Sequence, residues 1–252
     1  MMDPFCAADC RAIVWRGHTT LPRQAAGTDP RGGVPGSLAS PSVSHHRNLV
    51  TAAHPLARHL LGELRDASTP PERFRVVAQR LSSVLVLVAT RDLATRAVSV
   101  TTPLTAASGE RIATTVVAVP ILRAGLGMLT AVTDLLPDVQ VGYVGLERDE
   151  STLEPSSYYL KVPPLEDAAV LLLDPMLATG GSAAFAATLL KEHGARSLTL
   201  VCVVAAPEGV DRLLTEHPDV RIVTAGVDDG LNDVGYIVPG LGDFGDRLFG
   251  TE

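Results

Sequence analysis

The sequence predicts an α/β protein with a mainly parallel central sheet and helices on both faces. Three observations point that way. Several short runs are almost wholly apolar, as strands buried on both faces must be. Segments of helical periodicity separate these runs, which is the alternation a parallel sheet requires. The runs also end in polar or glycine-bearing turns, and open sheets of this class bind ligands beyond the carboxyl ends of their strands.

Residues 1–47 lack both periods. Gly27 to Ser42 reads GTDPRGGVPGSLASPS, a series of turn and breaker residues that cannot bury enough apolar surface to order itself. A flexible arm is expected there, with one domain over 48–252; a start codon placed too far upstream would leave the same signature. Cys6 and Cys10 have no second pair or histidine couple that would complete a zinc site.

From Asn48 the pattern becomes regular. Leu56, His59, Leu60 and Leu64 share one helical face, and Pro70-Pro71 ends that helix. A second apolar pattern runs from Arg73 to Val88; its SVLVLVA end is rich in β-branched residues and fits helix or strand. Strands are expected over Thr115–Leu122, Val139–Leu146, Ala169–Asp174, Leu198–Pro207 and Val220–Val227. Helices are expected over Gly127–Leu136, Gly181–His193 (closed by Gly194) and Glu208–His217. Cys202 lies inside an apolar strand and reads as a core residue.

Composition narrows the function classes. Hydrophobic residues make up 46% and charged residues 19%, ordinary for a globular protein. The longest apolar run falls short of the roughly 18 residues of a membrane span. Three cysteines and no leader-like apolar segment suit a cytoplasmic protein. The net charge of −7 argues against a broad nucleic-acid surface. Five arginines and three aspartates lie in residues 1–47, so the rest is more acidic still, with 16 basic and 25 acidic residues. An anionic substrate would need a local cluster of N–H donors or cations.

Such a cluster is expected at Asp174, Pro175, Met176, Leu177, Ala178, Thr179, Gly180, Gly181 and Ser182. A strand–loop–helix turn presents backbone N–H groups and the positive end of a helix dipole to an anion. Adjacent glycines permit close approach, and Thr179 and Ser182 add hydroxyl donors. The lysine of a nucleotide-binding Walker loop is absent. Asp174, at the strand end, is placed to accept from the hydroxyls of a bound ribose. Arg123, just past the first strand, can present a planar fork to phosphate. Arg148 stands between Glu147 and Asp149, the setting of a solvated ion pair as much as of a ligand contact. The C-terminal block Gly235–Thr251 has glycines at 235, 240, 242, 245 and 250, which argue against a helix or central strand and for exposed main chain suited to a flat heterocycle. Asp243 and Asp246 are candidates to contact a metal or a sugar.

Together, VPILRAGLGM (119–128), ERDESTLEP (147–155), DPMLATGGS (174–182), VVAAPEG (203–209) and GYIVPGLGDFGDRLFGT (235–251) resemble the uracil phosphoribosyltransferases in order and spacing. The resemblance covers Asn48 to Glu252. It implies a type I phosphoribosyltransferase fold with a C-terminal hood over the base. The implied activity is transfer of the phosphoribosyl group of 5-phosphoribosyl diphosphate to uracil, giving UMP and diphosphate in pyrimidine salvage. It further implies magnesium, a homo-oligomer (dimer or tetramer) and GTP as a candidate effector. Residues 174–182 would hold the ribose 5-phosphate, with Arg123 and Arg148 on the diphosphate. Tyr236, Ile237, Gly242, Asp243 and Phe244 would form the uracil pocket, largely through main chain. Arg123, Arg148, Asp174 and Asp243 are the implied catalytic set, with Asp243 facing magnesium indirectly. Two departures stand out. Asp174-Pro175 replaces the paired acids of the wider superfamily, as in the uracil branch, and GLERDEST replaces an aromatic-Arg-Asn sequence around Arg148. A purine or orotate acceptor is the alternative that keeps the chemistry.

Overall fold

The apolar runs become the middle of one sheet. The computed structural model describes residues 46–148 and 155–251, so the arm expected over 1–47 lies outside the described residues except for its last two. The first half contains β1 (Leu49–Thr51), α1 (Pro55–Arg65), α2 (Pro71–Ala89), β2 (Thr95–Thr101), β3 (Ala106–Ile112), β4 (Thr115–Leu122) and α3 (Leu126–Leu135). Next come β5 (Gln140–Val141), β6 (Tyr143–Arg148), β7 (Pro155–Lys161), β8 (Ala168–Leu173), β9 (Met176–Leu177) and α4 (Gly181–Glu192). The last part holds β10 (Ser197–Ala205), α5 (Pro207–Glu216), β11 (Arg221–Val227), β12 (Gly230–Leu231), β13 (Ile237–Val238) and α6 (Phe244–Phe249).

The main sheet runs β1-β11-β10-β8-β4-β6-β7, with β5 beside β4 and β9 beside β10. Every pairing in it is parallel except β6 with β7. Alternation along the strands divides the core in two. Val116 and Ala118 of β4 face α1, α2 and α3, together with Leu171, Leu173, Val201 and Val203. Val117, Val119 and Ile121 face α4 and α5, with Leu172, Leu200 and Cys202. Burial pushes the Cys202 thiol up to about 12, so it stays protonated and inert.

Sequence and structure agree on β4, β8, β10, β11, α1, α4 and α5 to within a few residues at their ends. The ambiguous SVLVLVA is helical and ends α2, where Leu81 and Leu85 sit one turn apart in the core and Leu87 faces solvent. The strand expected over 139–146 is interrupted at Gly142 into β5 and β6, which follow one another along the same edge of β4. Periodicity misses β1 and β7, the two edge strands of the main sheet, and the β2–β3 hairpin, whose residues are mostly exposed and therefore carry no apolar face to read. The glycine-rich C-terminus corrects an expectation as well. Asp243 caps the first turn and Gly250, at φ 70°, closes the last, so 244–249 is helical despite its glycines.

Candidate active site

Beyond the carboxyl ends of β4 and β8 lies a cleft of ≈ 540 Å³. Three segments distant in sequence line it: Ala124 after β4; Met176, Ala178 and Thr179 after β8; and the stretches Val234–Ile237 and Gly242–Gly245. Five of the expected residues, Tyr236, Ile237, Gly242, Asp243 and Phe244, meet there with the middle of the expected phosphate loop. Arg123, Asp174, Pro175, Leu177 and Gly180–Ser182 stand next to these lining residues in sequence without lining the cleft themselves.

The Asp174–Ser182 segment has two halves. In the first the backbone is sheet-bound. Asp174 N–H donates to Val201 O, Pro175 O accepts from Val203 and Val204, and Leu177 O accepts from Ala206 N–H. Met176–Leu177 thus runs alongside β10 as a second short strand after β8. The second half turns into α4. Gly180 takes φ 78°, and a Cβ there would stand 2.8 Å from Gly209 O. A Cβ on Gly209 would in turn collide with Ala178 O. These two glycines let α5 lie against the turn, a structural reason for Gly209 in VVAAPEG. The N–H groups at the start of α4 are left without helical acceptors, which is the property an anion site needs.

Asp174 is half-buried, and burial pushes its carboxyl up to about 7, against a smaller opposing effect of the Met176 N–H that it accepts from. A carboxyl held this way gains from ligand hydroxyls that stabilise its charge. Arg123 is exposed, and its guanidinium lies 5.9 Å from the centroid of the Phe249 ring, so α6 braces it from the hood side. Arg148 ends β6, where its Cα pairs with Pro155 of β7. Residues 149–154 of that motif lie outside the described residues.

The C-terminal block is built by side-chain hydrogen bonds to main chain. Asn232 Oδ1 accepts from Val234 and Tyr236 N–H at 3.1 and 2.9 Å and shapes the tip between β12 and β13. Glu208 of the VVAAPEG motif accepts from Leu231 N–H at 3.2 Å, so α5 touches this tip as well as the phosphate turn. Tyr236 is exposed, as a side chain flanking a ligand would be. Asp243 Oδ1 caps α6 by accepting from Asp246 N–H at 2.9 Å. Asp246 accepts from Thr251 Oγ1 at 2.7 Å and lies off the cleft. The Phe244 ring is buried edge-on against Phe74, with centroids 5.1 Å apart, so Phe244 offers a ligand its main chain. Sequence reasoning missed the arginines that hold this block. Arg75 donates to Leu248 O at 2.9 Å, and Arg247 donates to Leu64 O, Leu241 O and Asp66 O. The Arg247 guanidinium also lies 4.5 Å from the Phe74 ring centroid, and burial lowers its pKa from the ordinary value.

No three His, Cys, Asp or Glu side chains converge as a metal cage among the described residues. Asp243 commits one carboxylate oxygen to its helix cap and is itself one of the residues that line the cleft. That donor set suits a hydrated magnesium sharing its ligands with substrate phosphates. No helix among the described residues is long and apolar enough to cross a membrane.

Comparison with known proteins bears on the family and the fold. The sequence profile described as uracil phosphoribosyltransferase matches residues 50–251. The uracil phosphoribosyltransferase of Roseiflexus sp. (strain RS-1) is 53% identical over 204 residues, covering 81% of this chain and 98% of that protein. That of Ligilactobacillus salivarius (strain UCC118) is 48% identical, covering 79% and 96%. The solved structure of the AQ2163 protein from Aquifex aeolicus superposes with a TM-score of 0.76 at 38% identity, covering 80% of this chain and 97% of that one.

Proposed function

The chain belongs to the uracil phosphoribosyltransferase family and transfers the phosphoribosyl group of 5-phosphoribosyl diphosphate to uracil, giving UMP and diphosphate; we propose that the cleft just described is where it does so. One observation carries this reading. The cleft joins the turn at Ala178–Thr179, suited to a phosphate, to the main chain of 235–245, suited to a flat base. A phosphorylated sugar with a base beside its anomeric carbon needs that juxtaposition.

In the reaction a uracil ring nitrogen bonds to the anomeric carbon as the bond to diphosphate breaks, and the nitrogen's proton leaves to solvent or diphosphate. The protein's part is positioning and charge neutralisation. Thr179–Ser182 would hold the 5-phosphate through N–H and hydroxyl donors, and Asp174 would accept from the ribose hydroxyls. Arg123 and Arg148 would neutralise the departing diphosphate. Main chain at Ile237, Gly242 and Phe244 would read uracil, with Tyr236 at its flank. A fixed N–H aimed at a uracil carbonyl rejects cytosine, whose amine leaves it unpaired. Asp243 would hold magnesium through water. When bound with the substrate, that ion supplies further neutralisation of the diphosphate charge.

The reading also takes 48–252 as the catalytic domain and 1–47 as an arm, in a cytoplasmic enzyme. A homo-oligomer is supported by the β2–β3 hairpin, which leaves Val100, Leu104 and Ile112 exposed, and sedimentation of the full chain tests it. GTP as effector is tested by adding it to initial-rate assays. The decisive experiment is UMP formation by Arg123→Ala and Asp174→Asn, each expected to lose about 10²- to 10³-fold in kcat/KM. Near-wild-type turnover in both would move the chemistry out of this cleft.

A further inference from the structure

The loop between β13 and α6 is held by a side-chain pair that lies outside every family motif quoted above. Asp228 follows β11 directly, is 8% exposed, and is tied to β10 by its own N–H donating to Ala205 O at 2.8 Å. Arg65 closes α1. Its two Nη atoms donate to the two Asp228 oxygens at 2.8 and 2.5 Å, a fork on a carboxylate. The same pair grips Gly240 from both sides. Gly240 N–H donates to Asp228 Oδ2 at 2.8 Å, and Gly240 O accepts from Arg65 Nη1 at 2.7 Å.

Gly240 is the pivot of the loop. It takes φ 58°, and a Cβ there would collide with Ile237 O, so no other residue fits without moving Ile237. Ile237 and Gly242 on either side of it line the cleft. A buried ion pair contributes little net stability beside well-packed apolar groups, and its best-attested use is to fix a register. Here the register is that of the base-reading main chain against the end of α1 and the β10–β11 edge.

We propose that Arg65 and Asp228 are positioning residues for uracil, setting the main-chain donors and acceptors of Ile237–Gly242 without touching the base. The proposal rests on that segment being the uracil reader. Its signature is a split between the two substrates, because the phosphate turn is held by β10 and α5 and has no bond to this pair.

The test varies uracil and 5-phosphoribosyl diphosphate separately on the full chain, for wild type, Asp228→Asn, Arg65→Lys and Arg123→Ala. Asn removes one charged acceptor, and Lys keeps the charge but loses the fork. The expected result is a rise of about tenfold to a hundredfold in the uracil KM of both pair variants. Their KM for the diphosphate substrate stays within about twofold, and their preference for uracil over cytosine falls. A parallel rise in both KM values, or no change in either, overturns the positioning role. If Asp228→Asn does not fold, Arg65→Lys decides by the same split. Full turnover by Arg123→Ala, together with that of Asp174→Asn, would instead sink the underlying site reading, so the two failures are distinguishable.

Discussion

The two glycine-bearing walls of the cleft are held by opposite means. The Asp174–Ser182 wall hangs on the sheet, with Asp174, Pro175 and Leu177 bonded main chain to main chain with β10 and the residue after it. The 235–250 wall hangs on side-chain bonds that reach across the fold, from Arg65, Arg75 and Asp228 to its main chain and from its own Arg247 to Leu64 O and Asp66 O. The first wall keeps its place while β8 and β10 stay paired. The second depends on side chains that lie far away in the sequence. A sheet-bound wall suits the invariant ribose phosphate, and a strut-held wall suits a base, where small shifts of main chain decide acceptance.

Asp174→Asn gives the largest test of this contrast. Its folded pKa, about 7, lies above the ordinary 3.8, so the wild type binds the extra proton on folding. The resulting stability is present below about pH 4 and is lost as pH rises through about 7. Relative to wild type, Asp174→Asn should therefore gain stability between pH 4 and pH 8, by up to about 4 kcal/mol and less where water reaches the carboxyl. Urea denaturation at the two pH values checks this, and a gap that does not widen would show that the carboxyl is not held neutral. Next comes Gly180→Ala, which forces a Cβ against Gly209 O at positive φ. A loss of about 3 kcal/mol is expected, with a raised KM for 5-phosphoribosyl diphosphate and little change for uracil. That is the mirror image of the Arg65–Asp228 split. If Gly180→Ala raises both KM values equally, the walls are not independent. The smallest effect belongs to Arg75→Met, which frees one helix-end carbonyl, Leu248 O, and should cost about 1 kcal/mol in thermal unfolding. A larger loss with unchanged uracil binding would show that Arg75 holds the fold rather than this wall.

The same contrast explains what could be read from sequence. The sheet-bound wall announces itself, because an apolar run, an acid, a glycine pair and a helix are all local in the chain. Strands such as β4 and β10 are legible for the same reason, being apolar on both faces. Tyr236, Ile237, Gly242, Asp243 and Phe244 were reached through family resemblance, and the cleft gathers them. Their supports were not legible. Arg65 lies 175 residues from the carbonyl it grips, and Arg247 lies 183 residues from Leu64. Nothing in the local pattern marks those arginines as different from surface arginines. The β2–β3 hairpin escaped for another reason. TRAVSVT and AASGERI alternate too weakly to separate a strand from a loop.

The pairing of β1 with β11 has a consequence for the order in which a growing chain acquires its parts. Leu49–Thr51, made early, wait for Arg221–Val227 before they find an edge. Arg65 waits for Asp228 and Gly240 in the same way. The phosphate turn has its β8 and β10 supports once about residue 205 is out, whereas the base reader and its struts draw on residues as late as Leu248. A growing chain therefore acquires the sheet supports of the Asp174–Ser182 turn before it acquires the side-chain struts of the 235–250 wall.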